Sequence, residues 1–410
     1  MPFDSPGKCR DVIRDMKTIP RVLLLLEMGN EYGVGLARGV ARFSRLYGPW
    51  SFYRMPPFYR SKPSRQERLH LPLRKRFDAD GIIAHVNDPA HAAEIFESGL
   101  PAVVTYVFEP IPGLINIKSD SITVGRLGAD HFLERKFVHF AFCGYDDTAW
   151  SRHRSESFSA RLAEAGFAAH IYQPPSSARK RRWENEQSIM AEWVRALPKP
   201  VAIMACNDAR AQDVTEVCKI AELSVPEQVA VLGVDNDAII CDLSDPPLSS
   251  IPLNTDRAGF EAAACLAQMM RGAVPDVESI PVHPEPVVVR QSTDITAITD
   301  ETVAAALRYI RLYADKIQSV EQVAERVHLS LRQLQKRFRA AVGVHINDEI
   351  RRVRMQKAAR LLIETTMPIS RITYEVGYES PKNMARCFSK EVGMSLSDYR
   401  KAYGKHHASS

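Results

Sequence analysis

Long hydrophobic runs are missing from this sequence. Val22–Leu26 has five residues and Val201–Cys206 has six, far short of the ~20 that a membrane-spanning helix requires. No membrane partner is therefore expected. The segment around Val22–Leu26, MKTIPRVLLLLEMG, starts like a secretory signal, but Glu27 ends the apolar part early and no small-residue cleavage site follows. Residues 1–17 read as a loose polar tail. Paired cysteines are missing too. The seven thiols (Cys9, Cys143, Cys206, Cys218, Cys241, Cys265 and Cys387) are odd in number, scattered, and never spaced C-x-x-C. That pattern argues against a disulfide framework and a zinc site, and for reduced core thiols in a cytoplasm. No G-x4-G-K-[S/T] phosphate loop occurs anywhere.

The glycines of RVLLLLEMGNEYGVGLARG (21–39) do not supply a nucleotide cradle either. A dinucleotide fingerprint needs its first glycine at the end of the strand and an acid about 20 residues on to hold the ribose. Here Glu27 and Met28 intervene, the spacing is Gly29-x3-Gly33-x-Gly35-x3-Gly39, and the next apolar run, WSFYRM (50–55), ends without an acid. No cofactor, metal or catalytic residue is expected.

What is present is a division of charge. The 410 residues carry 45% apolar side chains and a mean hydropathy of −0.21, enough for two or three globular domains. Residues 301–410 hold 20 Lys and Arg against 11 Asp and Glu, a net of +9, which leaves 34 against 38, a net of −4, for the first 300. A basic last quarter on a near-neutral body suggests an anion-binding domain, nucleic acid first, attached to a sensing or catalytic one.

The body shows short apolar runs separated by helix-length segments: 21–26, 50–55, 81–86, 102–107, 139–144, 201–207 and 229–236. Continuous rather than alternating hydrophobicity marks strands covered on both faces, hence parallel sheets in an α/β fold. Ligands of such sheets sit at the carboxyl ends of strands. Glu27 directly follows the first run, and Asp208 and Asp235 follow or end the last two. A carboxylate there can accept two hydrogen bonds from vicinal hydroxyls, cap a helix, or pair as acid and base of a glycosidase. Arg154 offers a planar donor fork, and Tyr32 and Trp150 offer flat faces for a sugar ring. Polar groups on an apolar floor are the composition of a small polyol site.

The segments LLEMGNEYGVGLARGVARFSRLYG, SDSITVGRLGADHFLERKFVHFAFCG, WSRHRSESF (150–158) and ACNDARAQDVTEVCKIAELSVPEQVAVLGVDND (205–237) resemble the LacI-type, periplasmic-binding-protein-like sensor fold. The resemblance implies two lobes, about 18–118 plus 248–290 and 119–247, with Asn30 and Tyr32 in a loop facing the ligand. Ser157 replaces a glycine of the pattern, and Phe108-Glu109-Pro110 stands where such sensors often place a polar pair. The expected ligand residues are Glu27, Asn30, Tyr32, Trp150, Arg154, Asp208 and Asp235.

The tail repeats itself. VEQVAERVHLSLRQLQKRFRAAVG (320–343) aligns with ISRITYEVGYESPKNMARCFSKEVG (369–393), with one extra residue in the second turn. Each reads as helix, turn, helix. Ser319-Val320-Glu321-Gln322 reads as a capping box, and Ser330 and Ser380 as N-caps. Leu334 and Phe338, then Met384 and Phe388, face inward at a spacing of four. Arg332, Gln335 and Lys336, then Lys382, Asn383 and Arg386, face outward, with side chains suited to guanine and adenine edges in a major groove. A helix-forming stretch (347–366) joins the two units. RVRMQKAARLLIETTMPISRITYEVGYESPKNMARCFSKEVGMSLSDYR resembles the AraC-family DNA-binding domain, though His328 and Thr373 replace its usual turn glycine and alanine.

A LacI-like sensor (18–290), a junction (291–305) and an AraC-type domain (306–405) resemble the sugar-operon regulators built in that order, the junction residues Arg290, Ser292, Thr293 and Asp294 included. The resemblance implies a cytoplasmic, homodimeric activator that binds promoter DNA, works with RNA polymerase and senses a sugar, D-xylose first. A pentose-selective site would fill the place of a hexose hydroxymethyl with apolar bulk such as Trp150, Tyr32 or Phe108. Another sugar or polyol, or a carbohydrate-acting α/β enzyme with an accessory helical domain, are the alternatives.

Overall fold

The computed structural model describes residues 19–54, 78–86, 89–106, 109–175, 183–295 and 300–403. The expected tail, Cys9 and Phe108 lie outside them. Two compact units, Met1–Ile295 and Thr296–Ser410, make up the chain, and their division falls inside the expected junction.

The first unit contains two parallel sheets. In chain order its strands are β1 (Arg21–Leu25), β2 (Ser51–Arg54), β3 (Gly81–Val86), β4 (Ala102–Tyr106), β5 (Ile115–Ser119), β6 (Phe140–Cys143), β7 (Ala169–Ile171), β8 (Val201–Ala205), β9 (Val229–Asp235), β10 (Ser249–Pro252) and β11 (Ser279–Val282). One sheet runs β11-β5-β4-β3-β1-β2 and the other β10-β9-β8-β6-β7, with every named pair parallel. Each apolar run of the sequence forms a strand. The four strands that no apolar run marks are β5, whose INIKS alternates, and β7, β10 and β11, which are short edge strands; β11 carries Pro281, tolerable at an edge.

Helices cover both sheets: α1 (Glu31–Tyr47), α2 (Pro89–Glu97), α3 (Ser121–Glu134), α4 (Ala149–Glu164), α5 (Trp183–Ala196), α6 (Asp208–Ile220), α7 (Ala238–Leu243) and α8 (Thr255–Met269). Polar side chains start five of them by accepting an amide hydrogen bond in the first turn: Asn30, Asp120, Asn207, Asp237 and Asn254. The chain enters the second lobe between β5 and α3. β10 still belongs to the second sheet, so the return falls after Pro252 rather than at 248. A last crossing, marked by the Ser250–Val288 bridge, brings a short 3-10 turn (Gln291–Thr293) against the second lobe, where Ser292 and Thr293 are fully buried.

Packing explains Gly33, Gly35 and Gly39, where an added Cβ would lie 1.6–2.1 Å from the Glu27 carbonyl, the Thr255 hydroxyl and the Asp256 carbonyl; exposed Gly29 has no such neighbour. α1 and α8 cross so closely that a Cβ on Gly39 would lie 2.1 Å from the Asp256 carbonyl oxygen, and one on Gly259 would lie 2.1 Å from that of Leu36. Similarly, α3 and α4 meet at Gly125, whose Cβ would lie 2.9 Å from the Ser157 side chain. Ser157 thus fits where the sensor pattern has glycine, and its hydroxyl donates to Ile122 O at 2.6 Å.

Among the described residues the second unit has only helices: α9 (Glu301–Tyr313), α10 (Val320–Arg326), α11 (Leu331–Val342), α12 (Ile346–Glu364), α13 (Ile369–Glu375), α14 (Pro381–Val392) and α15 (Leu396–Tyr403). α10 with α11, and α13 with α14, are the two repeats. Both second helices span 12 residues and end on a left-handed glycine, Gly343 or Gly393.

Gly39→Ala is expected to lower stability by about 1–3 kcal/mol, because backbone on α8 cannot give way to a methyl as a flexible side chain would. A thermal melt of the full chain checks this. An unchanged midpoint would show that α1 and α8 separate at no cost.

Candidate functional site

The carboxyl ends of both sheets face one cleft of about 750 Å³, open mouth included, lined by Asn30, Tyr32, His85, Thr105, Tyr106, Ile117, Lys118, Ser119, Ser121, Trp150, His153, Arg154, Asn207 and Asp235. Five of the seven expected ligand residues are among them. Asn30 caps α1 by accepting from Gly33 N at 2.9 Å, which leaves its amide donors for the cleft. Burial pushes the Tyr32 phenol up to about 12, so the ring stays neutral. Arg154 is 3% exposed. It donates to Cys206 O and, at 3.2 Å, to Ser119 Oγ, and its guanidinium lies 5.0 Å over the Trp150 ring. Its Nε is buried without a partner, and an unpaired buried donor in a cleft is one that a ligand oxygen can satisfy.

Asp235 sits on a strained turn. Its φ is +102° and that of Asn236 is +54°, a region that non-glycine residues rarely occupy. Burial pushes its carboxyl up to about 6, against the pull of the Arg154 guanidinium. Two buried groups hold the turn: Asn236 N donates to Ser250 Oγ at 3.0 Å, and Asp237 N donates to Asp208 Oδ2 at 2.7 Å.

Glu27 and Asp208 do not reach the cleft. Glu27 is exposed, and its carboxylate turns back to accept from Gly29 N at 3.1 Å. Asp208 is 1% exposed and spends its oxygens on Asp237 N and the Ser250 hydroxyl. The sequence reading placed it one residue late. Asn207, directly after the β8 run, caps α6 and lines the cleft. Also missed were His85, Thr105 and Tyr106, polar interruptions at the ends of otherwise apolar strands, and Lys118, Ser119, Ser121 and His153. Lys118 and Ser119 lie on β5, which has no apolar run to draw attention to it.

In the helical unit Leu334, Phe338, Met384 and Phe388 are fully buried, while Arg332, Gln335, Lys336, Lys382, Asn383 and Arg386 are exposed. Arg337, also exposed, is tied to Asp300 through two 2.6 Å hydrogen bonds, which separates it from that free face. Ser330 forms a capping box with Gln333. The box expected at Ser319 is absent; Gln322 instead accepts from Gln318 N at 2.9 Å. Ser380 occupies its N-cap position without a side-chain bond, next to Pro381. His328 takes the left-handed turn conformation at φ +56°, the role Gly377 plays in the second unit at φ +83°. Buried Thr373 satisfies its hydroxyl on Ile369 O at 3.0 Å.

Residues 129–293 match the periplasmic binding protein-like domain family and residues 323–402 the helix-turn-helix domain family. The xylose operon regulatory protein of Escherichia coli K12 is 29% identical over 388 residues, 93% of this chain and 96% of that protein. The chain is thus similar to xylose operon regulators along nearly its whole length. The Haemophilus influenzae regulator is 28% identical over 81% of the chain and 87% of its own length. The solved structure of the xylose-binding transcription activator xylR aligns with a TM-score of 0.77 and 26% identity, covering 95% of this chain and all of that one. In this chain a periplasmic binding protein-like domain is followed by a helix-turn-helix domain.

Burial and the charge of Asp235 push Asp208 up to about 8. A carboxyl raised in the folded state binds protons there that the unfolded chain has lost, so stability falls as pH rises towards that value. Buried His131, held down to about 3 by burial and by Arg135, acts in the opposite sense, but only below its ordinary value of 6.5. Denaturant midpoints of the ligand-free protein should therefore decline between pH 6.5 and pH 8, and Asp208→Asn should flatten that slope. An identical slope in the variant would contradict the assignment.

Proposed function

We propose that this chain is a sugar-responsive transcription regulator: the cleft binds a small sugar, D-xylose first, and the two helix-turn-helix units bind promoter DNA. The observation that carries the sugar reading is that one cleft holds an unpartnered buried donor, Arg154 Nε, on a guanidinium lying over the Trp150 ring, together with the Asp235 carboxylate acceptor. That set offers a polyol both hydrogen-bond senses and a stacking surface. The relatives named for xylose support the choice of pentose. On this reading the protein is not an enzyme and needs no cofactor. Its site of action is the cytoplasm, where promoter DNA is. As a homodimer activator it works on RNA polymerase, and closure of the two lobes on sugar alters how the paired DNA-binding domains meet their half-sites. Sugar and DNA then bind with a shared, reciprocal coupling free energy.

Calorimetry of the whole protein against pentoses and hexoses tests the effector. D-xylose should give a saturable heat, and Asp235→Ala should weaken it about 100-fold or more, because loss of a charged acceptor costs a few kcal/mol. The variant should keep sugar-independent DNA binding. Heat with another sugar and none with xylose would overturn the choice of pentose.

The DNA reading is tested by a salt series on promoter fragments. Affinity should fall steeply with salt, by a slope of about −0.9 per phosphate contact. Arg332→Ala and Arg386→Ala should each cost about 1–3 kcal/mol and relax one base of specificity. Absence of binding at low salt would end this reading.

A further inference from the structure

Two adjacent serines on β10 connect the Asp235 turn to the segment that leads out of the sensor unit. Ser249 and Ser250 are both fully buried, and neighbours on a strand present opposite faces. On one face the Ser250 hydroxyl donates to Asp208 Oδ1 at 2.5 Å and accepts from Asn236 N at 3.0 Å. On the other, Ser249 Oγ donates to Arg290 O at 3.0 Å and accepts from Arg290 N at 2.8 Å and from Thr293 Oγ1 at 2.7 Å. The backbone joins in: Ser249 N donates to Ser292 Oγ at 2.8 Å, and Ser250 exchanges both of its amide bonds with Val288. With its own proton given to Ser249, Thr293 Oγ1 accepts from His131 Nε2 at 2.9 Å, and Arg135 holds Thr293 O at 2.9 Å.

The bonds run from the Asp235 turn through Asn236 N to Ser250, and from its neighbour Ser249 to Arg290, Ser292 and Thr293. Each hydroxyl is buried, so moving one group leaves its neighbours unsatisfied unless they follow. The turn at its head is itself strained, with φ +102° at Asp235 and +54° at Asn236, so its conformation depends on the bonds that hold it.

We propose that Ser249 and Ser250, with Thr293, are positioning residues that carry the state of the Asp235 turn to the junction, and so make sugar occupancy legible to the DNA-binding unit. The inference rests on the sugar and DNA reading above. Asp208 has its place in it: it is the fixed point against which the turn and Ser250 are both held.

The test is the ratio of D-xylose affinities measured with and without saturating promoter DNA. In the wild type that ratio should be about 5-fold or more. Thr293→Val, which keeps shape and removes the hydroxyl, should leave the affinity without DNA within about 2-fold and bring the ratio close to 1. Thr293→Ser should restore it. Ser250→Ala should lower the ratio as well, with a loss of sugar affinity because the turn is loosened. Ser98→Ala, which removes a buried hydroxyl of the first lobe outside this network, should change neither. A merely structural serine or threonine would weaken folding or both affinities and leave the ratio alone, and that result would overturn the proposal. If D-xylose and the other sugars give no heat with the wild type, the effector reading has failed. The network is then tested by hydrogen exchange: Ser250→Ala should speed the amides of 288–293 at least several-fold, and unchanged exchange would refute the link.

Discussion

One buried carboxylate fixes the geometry on which the sensor unit depends. Asp208 stands at the start of α6, fully enclosed, and accepts from the Asp237 amide and the Ser250 hydroxyl. It has no room to do otherwise, since a Cβ on Gly233 would lie 2.1 Å from its Oδ1. Burying a carboxylate is costly unless its oxygens are satisfied. Asp208 stays near its partners because they, with the Cys241 thiol, take the place of water, and burial pushes its carboxyl up to about 8. The consequence is a turn held in a conformation that Asp235 and Asn236 would not adopt alone, with the Asp235 carboxylate aimed into the cleft.

The chemistry of the cleft follows from that rigidity. Arg154 is anchored through its two terminal nitrogens, to Cys206 O in the second lobe and to Ser119 at the crossing between lobes. Nε is the nitrogen of the three that has no partner. A guanidinium with all its donors satisfied would be a structural cation, and one with none satisfied could not be kept buried. This intermediate state, beside a carboxylate whose charge it partly compensates, presents an unpartnered Nε donor and a carboxylate acceptor next to the Trp150 ring.

Much of this was legible in the sequence, and the exceptions share a cause. Doubly buried strands announce themselves through continuous apolar runs, so β1, β3, β4, β6, β8 and β9 could be read directly. β5 and β10 could not, because INIKS and SSIP are polar for reasons of site and network rather than of core. Site residues carried on those strands, Lys118 and Ser119 above all, were hidden with them. Asp208 illustrates a different limit. An acid directly after a strand serves a ligand, a helix or a neighbouring loop equally well, and only the third dimension shows its oxygens already occupied. Glu27 failed for a simpler reason: in the loop after β1 its own backbone amides compete for it.

The helical unit was more legible because its constraints are local and occur twice. Four-residue spacing sends Leu334 and Phe338, and again Met384 and Phe388, into the interior, and that alone determines which polar side chains remain outside. The inserted residue of the second repeat is absorbed in the turn, 376–380 against 327–330, so both second helices keep 12 residues and the same glycine stop. α12, with 19 residues, spans roughly 28 Å at ~1.5 Å per residue, comparable with one turn of DNA at about 34 Å. Any insertion within α12 would rotate one recognition helix against the other by about 100° per residue, given 3.6 residues per turn. An insertion in either turn changes only local strain. The repeat differs in length only where it can do so without moving its reading faces.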